Sequence, residues 1–395
     1  MEPTEARGRG ARRHFQPQLP PPQPAAITPA LQQACDVLQG VPPDVVVIND
    51  PQRATASARV LAAARDQFVP RGSRLLVATG SHRFPPAAQA AFERPLRDLG
   101  FHAIAWHDAR ATDLVALGGW RTHPWLAAAR AVLAIGSVEP HYFAGFTGAH
   151  KTLTIGCAAH ADIERNHAGA MSPACRPCQP ATSPVHQGVL AMLHTLEHGR
   201  RLAALNLFQV GDDIFAAAGG TPQAALDALV PPVRATYLRP LAQPADVVIA
   251  RVSGPLACSF YQAEKGIKNN EAAVRAGGAL ILAADCPQGL GQDAFFHLLK
   301  EAPDHRSALA VVESRGYRLG DHKAVRLRYL TDPACRNVHL YLVSPGLTTA
   351  DARIAGAAKA DSIEDALRRA GVDENSALVC DVDDAGNTCL AVSAP

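Results

Sequence analysis

The stretch Val45-Val46-Val47-Ile48-Asn49-Asp50 (residues 45–50) decides the fold. Its β-branched run ends in polar residues, which is typical of a buried strand in a parallel sheet. Residues 54–68 follow, rich in alanine and with apolar residues at helical spacing. A buried strand that leads directly into a helix predicts an α/β fold.

The same alternation continues along the first half of the chain. We predict further strands at residues 75–78, 102–106, 131–135 and 202–210, and helices at 86–99 and 222–229. This order favours a mainly parallel sheet with helices on both of its faces.

A second α/β unit follows a proline-rich stretch, residues 231–244, which is the best candidate linker. Beyond it we predict strands at 246–250 and 279–283 and a helix at 271–276, and the alternation continues through 307–314, 338–343, 363–370 and 377–380. We therefore expect three parts: a disordered Pro/Arg-rich tail (1–28), an N-terminal catalytic and cofactor-binding α/β domain (29–240) and a C-terminal α/β domain (241–395). The last residues could pack back on the N-terminal domain, and the active site would lie in the cleft between the domains.

Composition excludes several classes of protein. The 395 residues carry a net charge of +2, without the clustered basic residues that nucleic-acid binding needs. No apolar run reaches the roughly 18 residues of a membrane span. The nine cysteines are scattered and no signal segment is visible, so we expect reduced thiols in the cytoplasm. Cys175 and Cys178 form a single C-x-x-C pair, which favours a structural role over a zinc site.

Polar clusters follow three of the predicted strands, at residues 49–53, 79–83 and 136–141. Ligands bind at the carboxyl ends of strands in open parallel sheets, so the three loops should face one crevice. His82 and His141 lie in two of these loops, and a pair of imidazoles suits proton transfer on opposite sides of a substrate carbon. The alternative is that each histidine only satisfies a hydrogen bond within its loop.

Asp50 and Arg53 lie in the third loop. An arginine matches a carboxylate or phosphate, and the aspartate could orient the arginine or a histidine. The alternative is a local pair at a helix start, with Asp50 as the N-cap.

The segment 137–167 combines reactive side chains with glycines. Lys151 could bind an anion or form a covalent link to a cofactor. Gly145 and Gly148 could let backbone N–H groups approach a phosphate. His167, at the end of a predicted helix, could ligate a metal such as nickel or could only interact with the helix macrodipole.

One dense polar cluster, residues 261–268, lies in the second half of the chain. Its Gln262 and Lys265 would close over a carboxylate substrate if both domains line one cleft. The alternative is a solvated surface turn.

Five separated motifs resemble the nickel-pincer lactate racemase family. They are Asp-x-x-Arg at 50–53, ATGSHR at 78–83, EPHYFAGFTGAHK at 139–151, NH at 166–167 and YQAEKG at 261–266. The resemblance extends from about residue 45 to about residue 382. It implies an isomerase, a racemase or epimerase of a 2-hydroxy acid.

The resemblance also implies a cofactor, the nickel-pincer nucleotide (pyridinium-3-thioamide-5-thiocarboxylic acid mononucleotide nickel). Lys151 would hold it through a thioamide bond, His167 would be the protein ligand to Ni, and Gly145, Gly148 and His150 would lie around it. Cofactor-biosynthesis proteins would be transient partners. The oligomeric state, including a homo-oligomer, is not decided by the sequence.

The remaining site residues would act on the substrate. His82 and His141 would be the acid/base pair. The substrate-binding set would comprise Arg53, Gln262 and Lys265 on the carboxylate or hydroxyl, Asp50 as an orienting residue, and Phe143 and Tyr261 as walls of the pocket.

The chain departs from the family pattern at several places, and two of them concern the predicted site. His150 stands where many relatives have arginine, and a histidine would hold a cofactor phosphate more weakly. His322 and Lys323 lie near the position of an aromatic residue in lactate racemases. A charged pair facing the pocket would favour a substrate larger or more anionic than lactate.

The implied mechanism is proton-coupled hydride transfer. Loss of the α-hydrogen as a proton would leave a carbanion beside a carboxylate, whereas loss as hydride, with a histidine taking the hydroxyl proton, gives a neutral ketone. Two alternatives stay open: a zinc-dependent hydrolase that uses the histidines near residues 141–198, and a non-enzymatic relative that binds or delivers the cofactor. The sequence does not name the hydroxy acid.

Overall fold

The structure is a computed structural model, and it describes residues 11–291 and 293–392. The strands are β1 (Ala11–Phe15), β2 (Val45–Asn49), β3 (Arg74–Ala78), β4 (Ile104–Trp106), β5 (Val115–Leu117), β6 (Trp120–Thr122), β7 (Ala131–Ser137), β8 (Pro140–His141), β9 (Gly145–Phe146), β10 (Arg201–Val210), β11 (Asp213–Gly220), β12 (Leu238–Leu241), β13 (Ala245–Arg251), β14 (Val274–Ala283), β15 (His339–Val343), β16 (Ala358–Lys359), β17 (Leu378–Val382) and β18 (Cys389–Val392).

The α-helices are α1 (Ile27–Val37), α2 (Ser57–Phe68), α3 (Pro86–Asp98), α4 (Pro124–Ala128), α5 (Ala149–Leu153), α6 (His160–Ala168), α7 (Pro184–Glu197), α8 (Pro222–Tyr237), α9 (Phe260–Asn270), α10 (Asp293–Glu301), α11 (His305–Arg315), α12 (Asp321–Thr331), α13 (Thr349–Ile354) and α14 (Ile363–Arg369). Short 3-10 helices lie between them, including Pro51–Arg53 and Glu271–Ala273.

The first sheet has the strand order β11-β10-β7-β2-β3-β4, and all of its pairs except β10–β11 are parallel. Alternate residues of β2 pack into different cores. Val46 and Ile48 face the core that contains residues of α1 and α2, whereas Val45 and Val47 face the core that contains residues of α5 and α7. A strand buried on both faces explains why the stretch 45–48 is apolar throughout.

The second sheet has the order β1-β17-β13-β14-β15-β16, with every pair parallel. Val248 and Ala250 of β13 pack into one core, and Val247 and Ile249 pack into another. The predicted fold class, α/β with mainly parallel sheets flanked by helices, is confirmed. The division of the chain into two domains at residue 240 stays a prediction.

The predicted disordered tail, residues 1–28, is wrong for residues 11–28, and residues 1–10 lie outside the described part of the chain. Strand β1 pairs with β17 at the edge of the second sheet, and α1 begins at Ile27. Arg12 donates hydrogen bonds to the buried Asp381 at 2.6 and 3.0 Å. An arginine-rich segment is ordered here because a buried carboxylate requires cationic partners.

Two further predictions in the middle of the chain are wrong. The proposed linker begins inside α8, which continues through Pro231 and Pro232. That helix buries Leu229 and Val233 against the core, so packing outweighs the cost of the prolines. The helix predicted at 271–276 is instead a 3-10 turn followed by β14, because the helix lies earlier, at α9. Among the described residues, no helix is long and apolar enough to cross a membrane.

Candidate active site

The three polar loops lie side by side because β7, β2 and β3 are neighbours in the first sheet. Nδ1 of His82 lies 2.8 Å from Oδ2 of Asp50, whose side chain is 3% exposed. The other carboxylate oxygen of Asp50 accepts a hydrogen bond from the backbone N–H of Gln52 at 2.9 Å, as an N-cap. Asp50 therefore fulfils both sequence-based interpretations at once: it caps a helical turn and orients a histidine.

His141 lies on the short hairpin of β8 and β9, where its ring is buried. The ring stacks on Tyr142 at 5.4 Å between centroids and meets Phe143 edge-on at 4.3 Å. Nδ1 accepts a long hydrogen bond of 3.4 Å from the backbone N–H of Ala144. Burial lowers the pKa of His141 well below its usual value, and the charge of Lys151 lowers it further. The histidine is neutral in the absence of a bound anion.

The ring of Phe143 is the centre of the site. Nζ of Lys151 lies 5.5 Å from its centroid, and the centroids of His141 and His167 lie 4.3 and 5.0 Å away. The hairpin, α5 and α6 therefore bring three of the predicted site residues around one aromatic side chain.

Three cations influence one another at the site. The pKa of Lys151 is well below its usual value because of burial, and then because of the charges of Arg53 and Lys265. Among the described residues, the side chain of Lys151 forms no hydrogen bond or ion pair, and Nζ lies only against the ring of Phe143. Burial also lowers the pKa of Lys265, while Glu139 raises it. Unneutralised cations in a desolvated setting favour the binding of an anion.

His167 lies near the end of α6, and its imidazole is a weak base with a lowered pKa. Its pKa is lowered to about 3, mainly by burial and then by the charge of Lys151, while the Ile163 carbonyl one helical turn earlier acts in the opposite direction. Nδ1 is buried without a hydrogen-bond partner in the described structure. A neutral imidazole is the form that ligates a metal ion.

The second half of the chain contributes α9, which carries Tyr261, Gln262 and Lys265. Lys265 is buried and the other two side chains are partly buried, so the alternative of a solvated surface turn is excluded. Gln262 and Arg53 each have a side chain that forms no hydrogen bond within the described residues.

His322 and Lys323 are also buried, but their polar atoms are already used. Nζ of Lys323 donates to the backbone oxygen of Tyr261 at 2.6 Å and lies 3.1 Å from a carboxylate oxygen of Glu264. The ring of His322 lies between the hydroxyl groups of Tyr142 and Tyr317. Tyr142, Tyr317 and Glu264 were not identified from the sequence, and the contact of Tyr142 with His322 has no local signal because the two positions are 180 residues apart.

The three residues predicted to lie around the cofactor, His150, Gly145 and Gly148, are closely packed against other parts of the protein. His150 is fully buried against His186, at 5.5 Å between ring centroids, and neither ring nitrogen has a partner within the described part of the chain. A Cβ at Gly145, whose φ is +76°, would lie 2.5 Å from the backbone nitrogen of Pro180. A Cβ at Gly148 would lie 2.9 Å from Nδ1 of His150. Both glycines therefore have a packing reason, and their role toward a cofactor stays a prediction.

The cysteine pair also has a structural explanation. Sγ of Cys175 donates to the Gly169 carbonyl at 3.4 Å and lies 3.6 Å from the Ser183 hydroxyl, and Cys178 is buried in an apolar core. Across residues 11–291 and 293–392, no three His, Cys, Asp or Glu side chains form a group that could hold a metal ion.

Both halves of the chain match known families. A family model described as the lactate racemase N-terminal domain matches residues 37–176, and one described as the lactate racemase C-terminal domain matches residues 241–323. The lactate racemase of Thermoanaerobacterium thermosaccharolyticum is 27% identical over 299 residues, which cover 71% of this chain and 68% of that protein. The lactate racemase of Lactiplantibacillus plantarum is 27% identical over 330 residues, which cover 74% of this chain and 76% of that protein.

Solved structures show the same fold. The lactate racemase apoprotein from Thermoanaerobacterium thermosaccharolyticum superposes with a TM-score of 0.85 at 22% identity, over 99% of this chain and 97% of that one. A protein from Thermotoga maritima superposes with a TM-score of 0.70 at 14% identity, over 95% of this chain and 100% of that one. The chain, matched by lactate racemase domains in both of its halves, therefore belongs to the lactate racemase family and is an enzyme of the isomerase class, a racemase.

Proposed function

We propose that this chain racemises or epimerises a small 2-hydroxy acid by proton-coupled hydride transfer, with a nickel-pincer nucleotide tethered to Lys151. The observation that carries the proposal is the arrangement of Lys151, His141 and His167 around the ring of Phe143. A racemase needs a group that acts on each face of the substrate carbon, and His82 on the neighbouring loop supplies the second one.

The residues present fit the cofactor of this nickel-dependent family. The side chain of Lys151 has no hydrogen bond or ion pair in the described structure, and its lowered pKa leaves a neutral, nucleophilic amine at a lower pH than is usual for lysine. His167 offers a neutral imidazole for nickel. When bound, the nickel-pincer nucleotide would supply the acceptor and donor of hydride.

With Lys151 used for the cofactor, Arg53 and Lys265 are the cations that would hold the substrate carboxylate. Arg53 approaches from the first half of the chain and Lys265 from the second, so a carboxylate between them would bridge both halves. Gln262, one helical turn before Lys265, offers an amide that can accept from the substrate hydroxyl or donate to the carboxylate.

The two histidines would handle the hydroxyl proton. The contact with Asp50 fixes the proton of neutral His82 on Nδ1, so Nε2 keeps a lone pair for the substrate hydroxyl. The carboxylate then stabilises the imidazolium that forms. Burial keeps His141 neutral, and the charge of protonated Lys151 adds to this effect until the thioamide link removes it. The negative charge of the substrate would further favour a proton on His141, and each histidine would contribute about 10²–10⁴-fold to the rate.

A preference for a larger or more anionic substrate was expected because His322 and Lys323 could supply a free positive charge to the pocket. Neither side chain supplies one. Lys323 is paired with Glu264, and both ring nitrogens of His322 face tyrosine hydroxyls. We therefore propose a hydroxy acid with a single carboxylate. The zinc hydrolase has no support, because no three-ligand metal group exists among the described residues.

The test is production of the chain together with the cofactor-biosynthesis enzymes, which we propose as its transient partners. We expect an intact-mass adduct on Lys151, bound nickel, and interconversion of the D and L forms of at least one monocarboxylic acid among lactate, phenyllactate and short aliphatic hydroxy acids. Malate and 2-hydroxyglutarate complete the panel, and turnover of these dicarboxylic acids alone would contradict the single carboxylate. Lys151→Ala should lose the adduct and the activity, whereas Lys300→Ala, at an exposed lysine, should lose neither.

Two results would overturn the proposal. Adduct and nickel without turnover of any acid would indicate a protein that only binds or delivers the cofactor. Stoichiometric zinc, with activity that survives Lys151→Ala, would indicate a hydrolase.

A further inference from the structure

A hydrogen-bonded chain of three side chains links the two halves of the molecule beside the site. The hydroxyl of Tyr142 lies 3.0 Å from Nε2 of His322, and the hydroxyl of Tyr317 lies 2.6 Å from Nδ1 of the same ring. Tyr142 lies in the turn between β8 and β9. Tyr317 lies just before α12, and His322 lies in the first turn of that helix. We call these three residues the tyrosine–histidine chain.

The tyrosine–histidine chain has a defined polarity. A neutral imidazole carries one N–H donor and one acceptor, so one tyrosine donates to His322 and the other accepts from it. Burial holds the pKa of His322 well below its usual value, and burial raises that of Tyr142, which keeps both groups neutral. Both ring nitrogens are thus saturated by protein groups, and the ring cannot rotate without breaking two hydrogen bonds, of which the one to Tyr142 is buried.

Tyr142 transmits this constraint to the site. Its ring is stacked on the ring of His141, with 8° between the two planes. The centroid of Phe143 lies 5.2 Å from that of His322 and 4.3 Å from that of His141. A shift of Tyr142 would therefore shift both the histidine and the aromatic ring around which the site is built.

We propose that His322 is a positioning residue that acts through Tyr142 to hold His141 in the orientation needed for proton transfer. This inference rests on the proposed function, because the role of His141 as a proton carrier does. The competing explanation is ordinary packing between the halves, in which the hydroxyl and imidazole groups only satisfy one another.

The test uses the cofactor-loaded full chain and four variants. His322→Phe keeps a ring but removes both hydrogen bonds, and Tyr142→Phe removes the inner one alone. His322→Gln keeps an amide near the Nε2 position that can still bond to Tyr142. The matched control is Tyr341→Phe, which removes a hydroxyl from a buried tyrosine in the other core of the second sheet.

We expect His322→Phe and Tyr142→Phe to lower kcat about tenfold, the effect of losing roughly one hydrogen bond in the transition state. KM, nickel content and the mass of the Lys151 adduct should stay close to those of the wild type, because α5, α6 and α9, and not the hairpin, carry Lys151, His167 and Lys265. His322→Gln should recover part of kcat, and Tyr341→Phe should not change it.

Hydrogen exchange of the unloaded protein gives a second readout that needs no activity. Residues 139–147 should exchange faster in His322→Phe and Tyr142→Phe than in the wild type or in Tyr341→Phe. Lower thermal stability with unchanged kcat and unchanged exchange of this hairpin would overturn the proposal in favour of packing. If the loaded wild type racemises no acid, the proposed function fails. Unchanged exchange would then still overturn the positioning role, and faster exchange would support the coupling of the hairpin to His322.

Discussion

Asp50 and His82 lie in the loops that follow the neighbouring parallel strands β2 and β3, and Nδ1 of His82 lies 2.8 Å from Oδ2 of Asp50. The carboxylate is buried, whereas the side chain of His82 is 32% exposed. A buried carboxylate behind a solvent-facing imidazole fixes the tautomer of the histidine and stabilises its protonated form. The loops after β2 and β3 thus bring a carboxylate and an imidazole together, in the arrangement that the proposed acid/base role needs.

Asp50→Asn tests this pair. An asparagine oxygen can still accept the hydrogen bond from Gln52 that caps the helical turn, so the loop should keep its shape. The loss of negative charge removes the stabilisation of protonated His82, and we expect kcat for racemisation to fall about 10²-fold. The rate is measured from both enantiomers of the acid identified in the substrate panel.

The matched control for that variant is Asp44→Asn. Asp44 lies at the opposite end of the same strand, where its carboxylate accepts hydrogen bonds from the backbone N–H groups of Arg130 and Ala131. This change should alter stability and leave kcat unchanged. An Asp50→Asn enzyme that kept most of the wild-type rate would show that His82 does not depend on the carboxylate.

The sheet and its loops could be predicted from the sequence because their signal is local. Val45 to Ile48 is apolar at every position since both faces of β2 are buried, and the polar residues after β2, β3 and β7 are adjacent because those strands are. The motifs around His141 and Lys151 therefore identified residues that the fold does bring together, around the ring of Phe143, whereas a shared site with His82 stays a prediction.

The errors arose where distant residues decide the local structure. The composition of residues 11–15 predicts disorder. In the structure, β17 pairs with this segment and the carboxylate of Asp381 binds Arg12. Pro231 and Pro232 look like a linker until the core under α8 is included. The contact of Tyr142 with His322 joins both halves of the chain, so no periodicity or spacing could have indicated it.

Lys151 should react with an amine-directed reagent at a lower pH than other lysines do. Its pKa is depressed by burial and by Arg53 and Lys265, so the neutral amine is populated at a lower pH. In competitive labelling of the unloaded protein, the half-maximal rate of Lys151 should lie at a lower pH than that of the exposed Lys300. Peptide mass spectrometry resolves the two sites, and coincident pH profiles would contradict the depressed pKa.

His167→Ala should separate nickel binding from attachment of the cofactor. The tether at Lys151 lies on α5, so the covalent adduct should form as in the wild type. Loss of the imidazole should lower the affinity for nickel by at least about tenfold, as measured by metal analysis after dialysis against a chelator. His160→Ala is the control on the same helix, because that histidine pairs with Glu164 and Arg110 away from the site. Equal nickel in the two variants would remove His167 as the ligand.

Asp384→Asn should stabilise the protein at neutral pH. Burial raises the pKa of Asp384 to about 6, and the side chain of Asn387 and the charge of Lys265 only partly offset this. The folded state therefore binds a proton more tightly than the unfolded state. The stability contributed by this group is complete below about pH 4 and is lost as the pH rises through about 6. The neutral asparagine avoids that loss and tolerates the positive φ of 46°.

We expect the free energy of unfolding of Asp384→Asn to exceed that of the wild type by about 1–3 kcal/mol at pH 7, and the two to converge below pH 4. Chemical denaturation across this pH range measures the difference. Asp383→Asn, at the exposed neighbouring carboxylate, is the control and should be neutral within about 0.5 kcal/mol. A difference in stability between the wild type and Asp384→Asn that stays constant from pH 4 to pH 7 would show that Lys265 already compensates the buried charge of Asp384. Lys265 would then be less available to hold a substrate carboxylate, which joins this measurement to the proposed function.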